Sequence, residues 1–445
     1  MEKQAVDVNV NSRATSGDQH ATSRDLFAGS CDARRVDVVI IGGGLIGLSL
    51  SLLLKTQGLS VILLESKPFQ EDKATPIDAR NIALSSASVA ILKAMGVWAA
   101  LTPHACPIES IHVSNQGRFG STVLNRPESH PLGYVIELAV LQRILLEAVP
   151  KDVIWAPAEA CVIPSIAREP LDFASRHGQE IPRSARDDMG GVIVNYQGQT
   201  VTIDAKVIVA ADGANSKVRE HLKIIPNVKD FHQTAIVANI ALTRAHDHQA
   251  YERFTREGPL ALLPLTDKRM AMVWAMENAA IDNVMALDDK AFLLKLKRAS
   301  GHRLGNVSAI GSRQVFPLKQ TVMSETVFDN IVFIGNAAQS LHPIAGQGFN
   351  LGLRDVATLM ECLSEKGVNP AALKAYQGLR KPDTALITRF TDNLISLFTS
   401  DFPGVQWASG LGLSLMDNSA SLQKMLARMA SGYAGNVPYL ARREV

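Results

Sequence analysis

Cysteine is scarce in this 445-residue chain: there are four, at positions 31, 106, 161 and 362. No two share the C-x-x-C spacing. Cys31, Cys106, Cys161 and Cys362 therefore suggest neither a disulfide framework nor a zinc site, and read as inert thiols in a reducing compartment. A surplus of one charge is also missing. Lys and Arg number 45 against 43 Asp and Glu, for a net charge of +2. With no long basic run, that balance argues against nucleic acid as a partner. Long apolar runs are lacking as well. The uncharged stretch 38–54 follows Arg34-Arg35 and imitates a twin-arginine signal or a membrane span. Gly42, Gly43 and Gly44 break it, Asp37 stands at its start, and a span needs ~20 largely apolar residues. The expectation is a soluble, cytoplasmic protein, at most peripheral at the inner face of a membrane.

What is present is the make-up of a folded enzyme: 47% hydrophobic and 20% charged residues, in a chain long enough for two large domains or three ordinary ones. Residues 1–34 are polar and aperiodic, and are expected to form a disordered extension. Residues 36–41 (VDVVII) read as a buried parallel strand, residues 45–54 as a helix closed by Gly58, and residues 60–65 (SVILLE) as a second buried strand, together a βαβ unit. Two further buried strands are expected at 205–211 (AKVIVAA) and 330–334 (NIVFI), the latter followed by a glycine-rich loop and a helix over about 350–363. Between them, residues 234–242, 258–265 and 270–276 alternate apolar and polar, which predicts an inserted antiparallel sheet. Residues 164–190 read as a long surface loop. Near the C-terminus, Leu415, Leu422, Met425, Leu426 and Met429 recur at helical spacing with Lys424 and Arg428 between them. This helix either packs on its own protein or offers an amphipathic face to a membrane or partner.

Three glycine-bearing bends carry the chemistry. Gly42-x-Gly44-x-x-Gly47 lies between strand and helix. The first glycine permits the turn, the second lets backbone approach a pyrophosphate, and the third lets helix and strand pack closely. Phosphates then meet the helix N-terminus, and Glu65, at the end of the next strand, can accept hydrogen bonds from a ribose diol. The second bend is Asp212-Gly213-Ala214-Asn215-Ser216-Lys217-Val218-Arg219. The third runs from Gly335-Asn336 through His342-Pro343 to Gly346-Gln347-Gly348-Phe349-Asn350. There, successive backbone N–H groups suit an anionic ring edge.

In order and spacing these bends resemble those of the class A flavoprotein aromatic hydroxylases. The block GNAAQSLHPIAGQGFNLGLRDV, with residues 78–85 (DARNIALS), is similar to the ubiquinone-biosynthesis hydroxylases in particular. Asn336, where most of the class has Asp, and Gln339, where most has His, support that subgroup. The resemblance implies an α/β fold: a Rossmann-like FAD-binding domain of the p-hydroxybenzoate hydroxylase type, an inserted antiparallel-sheet substrate domain and a helical C-terminus. It places the FAD-binding domain at 35–110, 136–222 and 321–395, the substrate domain at 111–135 and 223–320, and the helical region at 396–445. It also implies the site. Gly42, Gly44, Gly47 and Glu65 would hold the ADP half of FAD, Arg80 and Gln142 would reach the cofactor, and Asp212 and Gly213 would line the pyrophosphate. Asn336 would sit near the ribityl chain. Gly346, Gln347 and Gly348 would cradle the isoalloxazine, with Pro343 and His342 near its face, and Asn350 would also bind the cofactor. No metal is implied.

The activity implied is hydroxylation of a polyprenylated phenol, similar to 2-octaprenyl-6-methoxyphenol, para to its hydroxyl. NADPH or NADH would donate electrons, O2 would be the co-substrate, and a flavin C4a-hydroperoxide would transfer the oxygen. The pocket wall is expected to include Leu262, Leu263, Pro264, Leu265 and Trp274. Alternatives are hydroxylation at another ring position of the same pathway and a FAD-dependent reductase of prenyl chains. A flavin-dependent halogenase lacks support, since Trp98, Trp155, Trp274 and Trp407 are isolated. The lipid substrate implies peripheral membrane contact through the C-terminal helix and a ubiquinone-synthesis assembly as partner. The resemblance leaves open prenyl length, NADH against NADPH, and whether the chain forms a homo-oligomer.

Overall fold

A computed structural model of the chain describes residues 34–69, 80–117, 119–163, 190–301, 303–341, 346–399 and 418–442. The extension expected at 1–34 and the loop expected at 164–190 therefore lie almost wholly outside the described residues, and His342, Pro343 and Leu415 lie outside them entirely.

Strand Arg34–Ile41 runs through the middle of a largely parallel sheet because Val38, Val39, Ile40 and Ile41 are apolar on both faces and buried on both. It pairs in parallel with Val61–Leu64 on one side and Gln199–Ala210 on the other. The sheet ends in Ile154–Trp155 beyond the former, and in Ile331–Phe333 and the antiparallel Val327–Phe328 beyond the latter. Strand order reverses at Ile41, so the crevice beyond its C-terminal end is where an open α/β sheet receives a ligand. One face, with Val38, Ile40 and Val209, packs against the helices Leu45–Thr56 and Gln347–Lys366. The other face, with Val39, Ile41 and Ile208, packs under the antiparallel hairpin of Ala158–Ile163 and Gly190–Tyr196.

The alternating segments form a nine-stranded sheet centred on Asn227–Leu242, Arg269–Glu277 and Gly258–Pro264. It is antiparallel except where Gln249–Thr255 runs parallel to Ser110–Asn115. Its back face carries Ile236, Leu260, Leu262 and Trp274 against Phe292 and Leu296 of the helix Asp289–Ser300. Trp274 meets Phe292 edge-on at 6.2 Å between ring centres. A third sheet of three strands (Asn81–Ser85, Gly133–Glu137 and Cys106–Ile108) sits at the junction of the other two. There Asn81 Nδ2 donates to Asn239 Oδ1 at 2.7 Å.

Two expectations change in detail. The strand expected over 330–334 is only Ile331–Phe333, because Gly335 turns the chain at a φ of +56°. The helix expected over about 350–363 begins earlier, at Gln347, since Gly346 takes the left-handed conformation just before it.

Candidate active site

The three glycine bends converge at the crevice. Gly42 has a φ of +110°, and a Cβ there would press into the backbone of Ala211 and Asp212. A Cβ at Gly47 would collide with the Gly42 carbonyl oxygen, so helix Leu45–Thr56 packs onto the turn only because that atom is missing. Gly44 differs: a Cβ there meets nothing within 4 Å, so its surface is open to a ligand. No side chain caps this helix, which leaves its first N–H groups to be met from outside. At its mouth the Glu65 carboxylate accepts from Gly43 N–H at 2.8 Å and, through its other oxygen, from Lys67 N–H at 3.0 Å.

The second bend is stitched to the first by Ala211 N–H, which donates to the Ile41 carbonyl at 2.8 Å. Asp212 Oδ2 accepts from Val218 N–H at 3.1 Å, while its Oδ1 is buried with no partner among the described residues. Gly213 has open space where a side chain would be. Ser216 caps the short helix Lys217–His221, and Arg219 reaches out of it. Arg219 donates to the carbonyls of Ala214 at 2.6 Å and Ala337 at 2.8 Å, bolting the second bend to the third.

In the third bend Asn336 stands exposed on the turn Gly335–Ala337. Gly346 opens a helix with no side-chain cap, and Gly348 has open space beside it. Asn350, expected to reach the cofactor, is instead fully used by the protein. Its Nδ2 donates to the carbonyls of Ala83 and Gly346, both at 2.8 Å, and its Oδ1 accepts from Ser85 N–H at 2.8 Å and the Ser88 hydroxyl at 2.7 Å. An amide has four such positions, so Asn350 fixes the Gly346 turn rather than a ligand. Arg80 is exposed just before strand Asn81–Ser85, and Gln142 is half-buried on helix Leu138–Ala148, which packs on Leu45–Thr56.

Behind the third bend lies a charge network that sequence reasoning missed. Asp355 Oδ2 accepts from Gly335 N–H at 2.9 Å and Gln339 Nε2 at 2.7 Å, while Oδ1 accepts from Arg380 Nε at 2.7 Å. Arg380 also donates to Asp383, whose two oxygens both accept from Arg354 Nη1, at 3.0 and 3.1 Å. Arg354 in turn donates to the carbonyls of Gly432 and Ala434. Burial works against the Arg380 charge, but Asp355 and Asp383 outweigh it and raise its pKa.

A hollow of about 310 Å³ opens beside Gly346 and Gln347. Its far wall is the front face of the nine-stranded sheet, including Val113, Ala261, Leu263 and Val273. The long helix Pro370–Thr399 and the helix Ala420–Ala430 close it with Phe390, Leu426 and Met429. Of the expected wall residues, Leu263 faces this hollow. Leu262 and Trp274 face the opposite way, because neighbours in a strand point to opposite faces. One acid stands on the wall, Glu252, and it too was not singled out from sequence. Its carboxyl makes no hydrogen bond or ion pair among the described residues, its Oε1 is shut off from water, and burial pushes its pKa up to about 7.

Cys106, His246 and His248 also gather closely. Both nitrogens of His246 are already engaged, Nε2 by the Leu265 carbonyl at 2.7 Å and Nδ1 by His248 N–H at 3.1 Å. Burial pushes the Cys106 thiol up to about 11. Cys106 thus stays a thiol and His246 has no ring nitrogen to spare, so the group is not built as a ligand set.

The FAD binding domain family matches the chain across residues 35–391. The chain is 32% identical to the ubiquinone hydroxylase UbiL of Rhodospirillum rubrum, over 91% of each chain. It is 29% identical to the 3-demethoxyubiquinol 3-hydroxylase of Escherichia coli, over 89% of this chain and 98% of that one. In fold it is similar to PqsL, a probable FAD-dependent monooxygenase from Pseudomonas aeruginosa, with a TM-score of 0.66 and 20% identity over 85% of this chain and all of that one.

Proposed function

The chain belongs to the FAD binding domain family, as a flavin-dependent hydroxylase of the type of its ubiquinone-hydroxylase relatives, and from that premise we propose that it hydroxylates the ring of a polyprenylated phenol in ubiquinone synthesis. The residues fit FAD. Gly44, Gly213 and Gly348 leave the backbone bare where a dinucleotide would approach, and the orphaned Asp212 Oδ1 and the uncapped helices supply an acceptor and donors. In this proposal Gly42, Gly44, Gly47 and Glu65 hold the adenosine diphosphate half, Asp212 and Gly213 line the pyrophosphate side, Asn336 sits near the ribityl chain, and Gly346 to Gly348 hold the ring end. Bound FAD, reduced by NADH or NADPH, supplies the activation of O2.

The observation that carries the reading is the hollow between Gly346 and the sheet. It is lined mainly by apolar side chains, which suit a ring with a hydrocarbon tail and keep water from the reacting atoms. The favoured position is para to the hydroxyl of a 2-octaprenyl-6-methoxyphenol-like substrate. That preference rests on the resemblance alone, since Gln339 is spent on Asp355 and does not line the hollow. We assign membrane contact to the helix Ala420–Ala430, where Leu422 and Met425 are exposed on the outer side. Among the described residues no helix is long and apolar enough to cross a membrane. A ubiquinone-synthesis assembly is the proposed partner.

The test is turnover of a short-prenyl methoxyphenol by the purified holoenzyme under 18O2 with a nicotinamide donor. Label in the ring hydroxyl is expected. A product formed equally well without oxygen would instead identify a prenyl reductase.

A further inference from the structure

Glu252 is placed where a carboxylate costs most. It lies on strand Gln249–Thr255, paired with Val113 on one side and Ala261 on the other. Its parity puts it on the front face with Ala250 and Phe254, lining the hollow beside Gly346 and Gln347. Val113 in turn pairs with Thr122, whose buried hydroxyl also lacks a partner among the described residues. Two polar side chains thus stand unanswered on one otherwise apolar wall. An acid in such a place destabilises the fold unless something binds to it, so an unpaired one is a functional signal.

We propose that Glu252 accepts a hydrogen bond from the ring hydroxyl of the phenol and so orients the ring in the hollow. The inference rests on the phenol-hydroxylase reading above and adds the group that selects its substrate. Glu252 favours a neutral hydroxyl donor and repels a ring carboxylate. The other ionisable residues on the boundary of the hollow are Tyr251 and Arg354. Arg354 is already committed to Asp383, so among the described residues no cation is left there to receive an acid. The side chains facing Glu252 from the neighbouring strands (Val113, Thr122, Ala261, Leu263) carry no charge. The reaction that supplies the substrate must therefore deliver a phenol without a ring carboxylate.

The test is titration of the holoenzyme with 2-methoxyphenol, followed by the visible absorbance of the bound flavin, between pH 5.5 and 9. Wild type is expected to bind more tightly as pH rises through about 7 and to bind 4-hydroxy-3-methoxybenzoate at least roughly tenfold more weakly. Glu252→Gln keeps a neutral acceptor and is expected to raise Kd roughly tenfold, and Glu252→Leu roughly a hundredfold, with the pH dependence gone from both. FAD content is expected to stay at the wild-type level. Unchanged affinity and pH profile in both variants would overturn the role of Glu252 while leaving the hydroxylase reading intact. A wild-type holoenzyme that binds no phenol at any pH would sink the hydroxylase reading, and the assignment of Glu252 with it.

Discussion

Arg380 Nε donates to Asp355 Oδ1 across 2.7 Å, and both side chains are almost wholly removed from water. The pair joins the turn after the last strand of the parallel sheet to the long helix that roofs the hollow. Through Asp383 and Arg354 it also holds the backbone at Gly432 and Ala434. Removing one member of a buried ion network leaves an uncompensated charge, which costs about 3–5 kcal/mol. Asp355→Asn is expected to lower stability by that order in chemical denaturation. It is also expected to copurify with less FAD, because the Gly335 turn loses its anchor.

The glycines of the first bend have separable roles. A methyl at Gly47 runs into the Gly42 carbonyl, so Gly47→Ala is expected to cost about 1–3 kcal/mol of stability. A methyl at Gly44 meets only open space, so Gly44→Ala is expected to keep the wild-type melting curve of the apoprotein while weakening FAD. Parallel melts and flavin titrations distinguish the two. Equal loss of stability in both variants would contradict this division.

Glu252 makes stability depend on pH with a definite sign. The folded carboxyl titrates near 7 and the unfolded one near its ordinary 4.5. Below 4.5 both are protonated and the difference vanishes. Between 4.5 and about 7 the unfolded chain releases a proton that the folded chain retains, so stability falls as pH rises, then levels off. The span corresponds to at most about 3 kcal/mol. Denaturation of wild type and Glu252→Gln across pH 4 to 8 is expected to show this slope only in wild type.

Membrane contact is better tested by point changes than by truncation. Cutting off the C-terminal region also removes the Gly432 and Ala434 carbonyls that Arg354 uses, and the Ser431 carbonyl that accepts from Ala87 N–H at 3.0 Å. Leu422→Ser with Met425→Ser alters only the outer side of helix Ala420–Ala430, where the two residues are 37% and 52% exposed. Flotation with anionic vesicles is expected to drop several-fold at unchanged FAD content. Undiminished flotation would place the contact elsewhere.

The glycine bends and the alternating strands were legible in the sequence because each is a local signal. A turn needs its own glycine, and a half-buried strand needs its own alternation. What escaped was parity and partnership. Residues 262 and 263 are both leucine, so no composition tells which one faces the hollow; the paired strands decide it. Glu252 lies in QAYERFT, which reads as a solvated strand until both neighbours cover it. Asp355, Arg380 and Asp383 look like ordinary charges on two helices, and their bonds form only when four distant segments meet. Asn350 stood inside a recognisable motif, yet its bonds to Ser85 and Ala83 depend on a strand some 265 residues away.

The parallel register of Ile41 with Ala210, and of Ala210 with Phe333, has a consequence for biosynthesis. A ribosome makes the opening strand long before it makes its remote neighbours, and parallel pairing over such spacings forms late. Nascent chains stalled before residue 335 therefore lack the last bend and gain no rescue from added flavin. Capture of the prosthetic group becomes the closing event of maturation.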